Sequence, residues 1–374
     1  MSLVLDVTAH PAVYATRLLV EAGHSVIRIE PRAGDELRRM RPFLGDQPDL
    51  ENGAYHQFFN AGKRSLTLDP STSDGRAILL RLAGKAAAVL ASEPLPVDEQ
   101  ALMEANPALV LATMDQDEPE LCAYARSGLL AITGTPGQEP ALLGSHMAYA
   151  AIGLYLATAT AAAMLAAEQT GQGQRVRVSS ADALGCFAEQ SVVGWLAMGA
   201  VTERRGYRGA ITAVSGGFPC LDGYWMVSLP HSAEGWARLM DWVQDPELAA
   251  DPALADESER LKKRDFILDR LTQWSKRFPK EELVVEAQKR HIPASPVATA
   301  LELAEDPQLT ARGFLRQVDL PGLGTMTFPA GAIATVLETP MAPAPRLGAD
   351  NHAILGELGY TTAEIGALLQ SGAI

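Results

Sequence analysis

Short apolar runs alternate with helical stretches through the first half of the chain, and this alternation limits the possible folds most strongly. Leu3–Val7 is apolar, Pro11–Ala22 has helical spacing and ends at Gly23, and Ser25–Ile29 is again apolar. Such a β-α-β unit joins two parallel strands through a crossover helix. Further helices are expected at residues 74–82 and 99–106, and further strands at 86–90, 109–113 and 175–179. The chain is therefore predicted to be an α/β protein with an open, doubly wound parallel sheet.

The sequence pattern changes near residue 202. The charged segment Glu203–Gly209 is typical of a connector, and Gly216–Leu229 has the pattern of a hairpin that turns at Asp222-Gly223. Charged helices are expected at residues 233–243, 258–277 and 280–289. We therefore expect a large domain that begins with residues 1–200, a smaller α+β domain over 210–325, and a C-terminal return to the large domain over 326–374.

The charge balance argues against one class of partner. The 374 residues carry 31 Lys and Arg against 45 Asp and Glu, a formal net charge of −14. Nucleic-acid binding needs a basic face, so no nucleic-acid partner is expected, and an anionic ligand would need a local basic pocket. The three cysteines, Cys122, Cys186 and Cys220, lie far apart. This usage indicates a reducing compartment, here the cytoplasm, and predicts neither a disulfide framework nor a metal site.

One segment has the length of a membrane span. Met147–Ala167 is a run of 21 residues without a charge, but it consists mostly of Ala, Thr and Gly. Such residues contribute little transfer energy to a lipid bilayer. We expect a buried helix that packs closely through small residues, and no membrane partner.

Several short motifs follow one another in a definite order. They are E-P-R-A-G-D-E-L-R-R at 30–39, N-A-G-K-R-S-L-T-L-D at 60–69, S-G-L-L-A-I-T-G at 127–134, E-Q-T-G-Q-G-Q-R at 168–175 and F-P-C-L-D-G-Y-W at 218–225. Each motif alone recurs by chance. The ordered set resembles the family III CoA-transferases (the CaiB/BaiF group), to which formyl-CoA transferase, carnitine CoA-transferase and α-methylacyl-CoA racemase belong. The resemblance covers nearly the whole chain.

The resemblance implies a fold and a set of partners. The family has a Rossmann-like large domain built from both chain ends and a small domain between them, and two subunits interlock like linked rings. It implies a transferase whose substrates are an acyl-CoA and a small carboxylic acid, with coenzyme A as the carried group and no metal. A homodimer, or a heterodimer with a paralogue, is expected.

The resemblance also points to a departure at the catalytic position. In the family, an aspartate near the start of a helix carries the acyl group. Counting back from Gly153-Leu154-Tyr155, this place falls on Tyr149. A carboxylate is ionised at neutral pH, whereas a phenol with a reference pKa of about 10 is almost entirely protonated. We therefore expect an acyl-CoA-handling protein with altered chemistry, in which Tyr149 and the nearby His146 are the catalytic candidates.

Other functions remain open at this stage. The chain could be the non-catalytic subunit of a heterodimeric CoA-transferase, or a homologue that binds acyl-CoA without turnover. An acyl-CoA racemase is a further alternative, but Pro119 stands where that group has a catalytic histidine. Tyr149 could also be a buried aromatic residue and His146 a structural histidine.

The resemblance places coenzyme A against four basic residues. These are Arg38, Lys63, Arg64 and, in the loop before the first helix, His10. Guanidinium and ammonium groups suit the phosphates of CoA. Without the family, Arg38 and Lys63-Arg64 would be interpreted as solvated surface charges. Gly216-Gly217 is either a short version of the family's mobile glycine loop or the start of a hairpin.

Overall fold

The computed structural model describes residues 1–114, 119–144, 146–208, 212–331, 333, 337 and 341–374, with the side chain of Pro11 left out. The strands are β1 Leu3–Val7, β2 Ser25–Glu30, β3 Arg64–Thr67, β4 Ala88–Ser92, β5 Val110–Met114, β6 Arg175–Val178, β7 Ser215–Cys220, β8 Gly223–Ser228, β9 Ala294–Pro296, β10 Leu315–Leu320 and β11 Gly324–Pro329. The helices are α1 Val13–Glu21, α2 Ala54–Phe59, α3 Ser73–Ala83, α4 Glu99–Ala105, α5 Glu120–Arg126, α6 Leu129–Ile132, α7 Met147–Thr170, α8 Ser180–Gly185, α9 Glu189–Met198, α10 Ala233–Val243, α11 Pro246–Ala249, α12 Glu257–Lys262, α13 Arg264–Ser275, α14 Lys280–Lys289, α15 Ala300–Ala304, α16 Pro307–Ala311, α17 Asn351–Glu357 and α18 Thr362–Ser371.

Six parallel strands form the main sheet in the order β3-β2-β1-β4-β5-β6. Every residue of β4 and β5 is buried, because helices cover both faces of a parallel sheet. The α/β class and the doubly wound parallel sheet predicted from the alternation are confirmed. The chain changes direction across the sheet between β1 and β4, and the backbone N–H of Ala9 donates to Ser92 Oγ at 2.8 Å. The loops after these two strands therefore meet at the switch point, where ligands of such sheets usually bind.

The two chain ends share one hydrophobic core. Leu355 and Ile365 of the last two helices pack with Leu66, Ile78 and Leu79 from the first part of the chain. The last helix begins with a capping box, in which the Thr361 hydroxyl and the Glu364 carboxylate bind each other's backbone N–H groups. The return of the C-terminus to the large domain follows from this shared core.

The long helix α7, whose only charged residue is Glu168, packs closely against α1. An added Cβ at Gly153 would lie 2.9 Å from Tyr14 Cβ, so only glycine allows this approach. By length and composition α7 could cross a membrane, and 39% of its most apolar window is buried in the structure. One such helix is weak evidence for a membrane span, since core helices of soluble proteins have the same composition.

The described chain divides into two compact units. Unit 1 comprises residues 1–129, 143–198 and 306–374, and unit 2 comprises 130–142 and 199–305. Unit 2 has its own three-stranded sheet, β7-β8-β9, and its own core around Trp225 and Trp236. The expected small domain extended to residue 325, but the β10–β11 hairpin belongs to unit 1, because Val318 and Phe328 pack with Phe58.

One local expectation is wrong, and one open alternative is decided. Helix α3 is capped by Thr72, whose hydroxyl accepts from Gly75 N–H. The single helix expected over residues 258–277 is two helices that part at Lys263, where the backbone leaves helical geometry. Gly216-Gly217 lies inside strand β7 of a regular hairpin, so the hairpin interpretation applies.

A buried carboxylate joins the first three strands. Asp6 is completely buried at the end of β1, and its Oδ1 accepts from Arg28 Nη1 of β2 at 2.7 Å. Its Oδ2 accepts from Thr16 of α1 at 2.6 Å and from Lys63 Nζ, just before β3, at 2.8 Å. Both cations hold the pKa of Asp6 well below its usual range despite the burial, which acts in the opposite direction. Four elements therefore meet at one ionised side chain.

Asp6→Asn is expected to destabilise the protein by about 3–5 kcal/mol, because it leaves Arg28 and Lys63 buried without this counter-charge. Arg64→Ala is the control. It removes the neighbouring cation, whose ion pair with Glu357 lies at the surface, and should cost about 0–1 kcal/mol. Urea unfolding followed by circular dichroism measures both changes. Equal losses for the two variants would contradict this account of the network.

Candidate acyl-CoA site

The start of α7 brings two of the candidate residues together. His146 directly precedes the helix in the left-handed conformation, with φ 53° and ψ 39°, a geometry that few non-glycine residues adopt. Its carbonyl accepts from Tyr149 N–H at 3.0 Å, which closes the first turn. The two rings stack, with their centroids 5.4 Å apart and their planes inclined by 8°.

His10 joins this pair from the switch point of the sheet. It lies in the short 3₁₀ turn His10–Ala12 between β1 and α1. The His10 ring meets Tyr149 edge-on at 5.0 Å and His146 edge-on at 5.4 Å. His10, expected to contact coenzyme A, and the catalytic candidates His146 and Tyr149 thus form one contact group.

Aromatic side chains extend this group into a cluster. Tyr55 lies 5.8 Å from the His146 ring and stacks on Phe59 at 6.2 Å, and Tyr14 meets Phe59 at 5.7 Å. The ring cluster comprises His10, Tyr14, Tyr55, Phe58, Phe59, His146 and Tyr149. Tyr55 and Phe59 are four residues apart on α2 and therefore share one face of the helix.

A cavity of about 520 Å³ opens against the ring cluster. Its walls are mostly apolar, and they include Tyr55, Phe58, Phe59, Ala150 and Phe328. All of these residues belong to unit 1. Concave, mostly apolar sites with a few polar groups are typical of small-molecule binding.

Glu120 provides a carboxylate next to the cluster. Its Oε2 lies 3.0 Å from His146 Nδ1, while Oε1 is buried without a hydrogen-bond partner among the described residues. Glu120 is the first residue of α5, where the positive end of the helix dipole favours a carboxylate. With Nδ1 bound to Glu120, a neutral His146 donates from Nδ1 and keeps the lone pair of Nε2 as acceptor.

The surroundings keep two of the rings neutral. Burial, followed by the nearby His146, lowers the pKa of His10 to about 4. Burial, followed by the charges of Glu120 and Glu36, raises the pKa of Tyr149 above its ordinary value of 10. At neutral pH, His10 is therefore uncharged and Tyr149 remains a phenol, not a phenolate.

Arg38 lies inside the protein, not on a solvated helix face. Its side chain is fully buried, and Nε and Nη2 form a bidentate pair with Glu30 at 2.7 and 2.9 Å. Nη1 donates to Glu51 and to the carbonyl of Leu50, and Nη2 also donates to the carbonyl of Pro345. All five N–H donors are thus used. A direct contact of Arg38 with CoA stays a prediction, and this geometry leaves no donor for it.

The other basic candidates are engaged as well. Lys63 Nζ is buried and donates to Asp6, Thr16 and Asn60, which uses its three protons. Arg64 forms a surface fork with Glu357 at 2.7 and 3.1 Å. Lys63 therefore has a structural role in this arrangement, and Arg64 could reach a ligand only by releasing Glu357.

Sequence reasoning missed two parts of the site. It did not pair Glu120 with His146, and it gave no role to the aromatic residues of α2. The repeated rings in Ala54-Tyr-His-Gln-Phe-Phe59 were the available signal for the second part. Ser145 and Glu118, which are close in sequence to His146 and Glu120, lie outside the described residues. Within the described ranges, no group of three or more His, Cys, Asp or Glu is placed to hold a metal ion.

The pKa of His10 predicts a pH dependence of stability. Between about pH 6.5 and 4 the unfolded chain takes up a proton at His10 and the folded chain does not. The free energy of unfolding should therefore fall as the pH falls through this window. Because the ring is partly exposed, we expect on the order of 1–2 kcal/mol from this residue. Urea unfolding of His10→Gln across the window should give a shallower slope than the wild type, and an unchanged slope would contradict the shift.

Comparisons with known proteins identify the family of this chain. The model of CoA-transferase family III matches residues 2–351. Succinyl-CoA:mesaconate CoA-transferase of Haloarcula hispanica is 30% identical over 96% of both chains. Subunit BbsE of succinyl-CoA:(R)-benzylsuccinate CoA-transferase of Thauera aromatica is 26% identical over 99% of this chain and 97% of its own. A CaiB/BaiF family protein from Brucella suis has the same fold, with a TM-score of 0.82 at 24% identity over 96% of this chain and 98% of its own. The protein therefore belongs to the family III CoA-transferases.

Proposed function

We propose that this protein binds acyl-CoA thioesters at the ring cluster and nominally transfers CoA between a thioester and a carboxylic acid, by chemistry that departs from that of the family. The observation that carries the proposal is the Tyr149 phenol stacked on His146, a residue that lines an apolar cavity. A phenol can donate a hydrogen bond to a thioester carbonyl. It cannot form the mixed anhydride that a carboxylate forms.

The walls of the cavity favour an acyl group with an apolar body. The named substrates of the relatives include succinyl-CoA, mesaconate and (R)-benzylsuccinate. A second carboxylate would need a cationic partner, and the described walls contain no Lys or Arg. Rings at Tyr55, Phe58 and Phe59 suit branched or aromatic acyl chains, because apolar contact and ring stacking both contribute there.

A role as partner subunit is the second candidate. It is supported by the tyrosine at position 149 and by relatives named as subunits of CoA-transferases. An apolar face also remains exposed on the described chain around α7–α9, with Leu154, Tyr155, Phe187, Trp195, Leu196 and Met198. Such a face suits a second chain, either a copy of this protein or a paralogue. The molar mass of the purified protein in solution, alone and with a candidate paralogue, distinguishes the two.

Covalent chemistry provides the first test. We predict that the wild type forms no acyl-enzyme or enzyme–CoA thioester with acyl-CoAs. Tyr149 is protonated, and the Glu120 carboxylate is held by His146. Tyr149→Asp should gain an adduct of the enzyme and the acyl group or CoA, because the variant places a carboxylate beside the cavity. Tyr149→Phe is the matched control, since it removes the hydroxyl without adding a carboxylate.

Intact-mass measurement after hydroxylamine or borohydride trapping detects the adduct. An adduct on the wild type that maps to Glu120 would overturn the claim that the site lacks a free nucleophile. If Tyr149→Asp gains no adduct but still binds acyl-CoA, the partner-subunit function is the better account.

The acyl preference provides the second test. Phe59→Ala should weaken the binding of benzoyl-CoA about tenfold, because it removes an aromatic wall of the cavity. Acetyl-CoA serves as the internal control, since its short chain does not need this wall. Isothermal titration calorimetry measures both affinities. An equal loss for the two ligands would show that Phe59 does not contact the acyl group.

A further inference from the structure

A second cavity lies wholly within unit 2 and differs sharply in charge from the rest of the chain. Its volume is about 970 Å³. Six basic side chains line it against three acidic ones, in a chain whose net charge is −14. The basic residues are Arg204, Arg205, Arg208, Lys262, Lys263 and Arg264. Such a local excess of positive charge attracts anions despite the acidic background.

The backbone holds the arginine-rich connector in place. Gly206 N–H donates to the carbonyl of Gly134 at 2.9 Å, and Gly217 N–H of β7 donates to the carbonyl of Tyr207 at 2.8 Å. Gly206 has φ 61°, the left-handed conformation that glycine adopts without strain. The connector is therefore tied on both sides, so its arginines are set in position.

Internal acids neutralise only part of this charge. Arg208 pairs with both aspartates of the cavity, Asp265 and Asp269, at 2.7 and 2.8 Å. Lys262 and Lys263 pair with Glu259 and Asp251. The other three arginines of the cavity have no acidic partner among the described residues. They are Arg204, Arg205 and Arg264.

Two of these arginines have unused donors. Nε and Nη2 of Arg264, and Nε of Arg204, are buried with no hydrogen-bond partner among the described residues. Burial, followed by the charge of Arg205, lowers the pKa of Arg264. A buried donor without a partner destabilises the protein, so an anion that reaches these groups would restore missing hydrogen bonds. Arg205 is exposed and forms no ion pair within the described part of the chain.

Two further features indicate what kind of anion fits. Helix α13 has twelve residues and begins at Arg264, and its first turn has no side-chain cap. The N-terminus of a helix favours the binding of phosphate, because its backbone N–H groups and the helix dipole attract anions. Tyr207 and Phe266 line the same cavity and are 51% and 41% exposed. Exposed rings next to a basic pocket provide surfaces on which a nucleobase can stack.

We propose that this basic cavity of unit 2 binds a nucleotide, with its phosphates on Arg205 and Arg264 and its base against Tyr207 or Phe266. The phosphoadenosine end of coenzyme A and a free nucleoside phosphate both have this chemistry. The proposal does not depend on the reaction at Tyr149, since binding requires no turnover.

Calorimetry with four probes tests the proposal on the full-length protein. The probes are CoA, adenosine 3′,5′-bisphosphate, ADP and pyrophosphate. We expect the nucleotide probes to bind the wild type. Arg205→Ala and Arg264→Gln should each weaken this binding about tenfold, since each removes a charged hydrogen bond to phosphate. Lys276→Ala removes an exposed cation of unit 2 outside the cavity and should leave the affinity unchanged.

The probes also identify the ligand. Where Arg205→Ala and Arg264→Gln weaken the binding, a preference for CoA and adenosine 3′,5′-bisphosphate over ADP assigns the cavity to coenzyme A, and equal binding of ADP assigns it to a free nucleotide. The proposal is overturned if no probe binds at millimolar concentration, or if the variant that combines Arg205→Ala with Arg264→Gln binds like the wild type. If pyrophosphate binds as tightly as any nucleotide, the proposed contact of a base with Tyr207 or Phe266 is wrong. If the protein binds these probes but does not act on acyl-CoA, the nucleotide site is supported and only the proposed function is overturned.

Discussion

The ionised side chain of Asp6 is the interaction on which the large unit depends. It collects Arg28 from β2, Thr16 from α1 and Lys63 from the turn before β3. The same carboxylate accepts from the backbone and the hydroxyl of Thr8, which leads into the turn that carries His10. The position of His10 against Tyr149 is thus fixed by a charge network in the interior. The hydrophobic core alone would leave this loop less well defined.

Local sequence patterns could predict the helices and strands, but not the ion pairs between distant residues. Strands and helices follow from local periodicity, so β1, α10 and α14 were predicted with the bounds observed. The roles of Arg38 and Lys63 depend on partners far away in sequence or hidden in the fold. A motif with arginine and lysine looks the same whether these residues face a phosphate or a buried carboxylate. The acidic residues Glu30 and Asp35, within the same motif as Arg38, were the one sequence signal for an internal pairing.

The candidate site could be predicted only in part, because some of its residues are far apart in sequence. Tyr149 and His146 are one helical turn apart, so their proximity could be predicted from spacing, whereas His10 and Glu120 join them only through the topology of the sheet. The candidate site combines an apolar cavity, a histidine–carboxylate pair and a phenol whose pKa is raised. In the proposed function, acyl-CoA binds there without a carboxylate nucleophile at position 149, so we propose either a partner subunit or an enzyme with altered chemistry.

A crystal structure with a bound, unreactive thioether analogue of an acyl-CoA tests the central claim most directly. The account predicts that the acyl chain lies in the cavity beside Phe59, that the atom replacing the thioester carbonyl lies next to Tyr149 and His146, and that Arg38 keeps its pair with Glu30. An acyl group bound elsewhere, a Glu120 carboxylate turned onto the reacting carbon, or an Arg38 released from Glu30 onto a phosphate of CoA would contradict it.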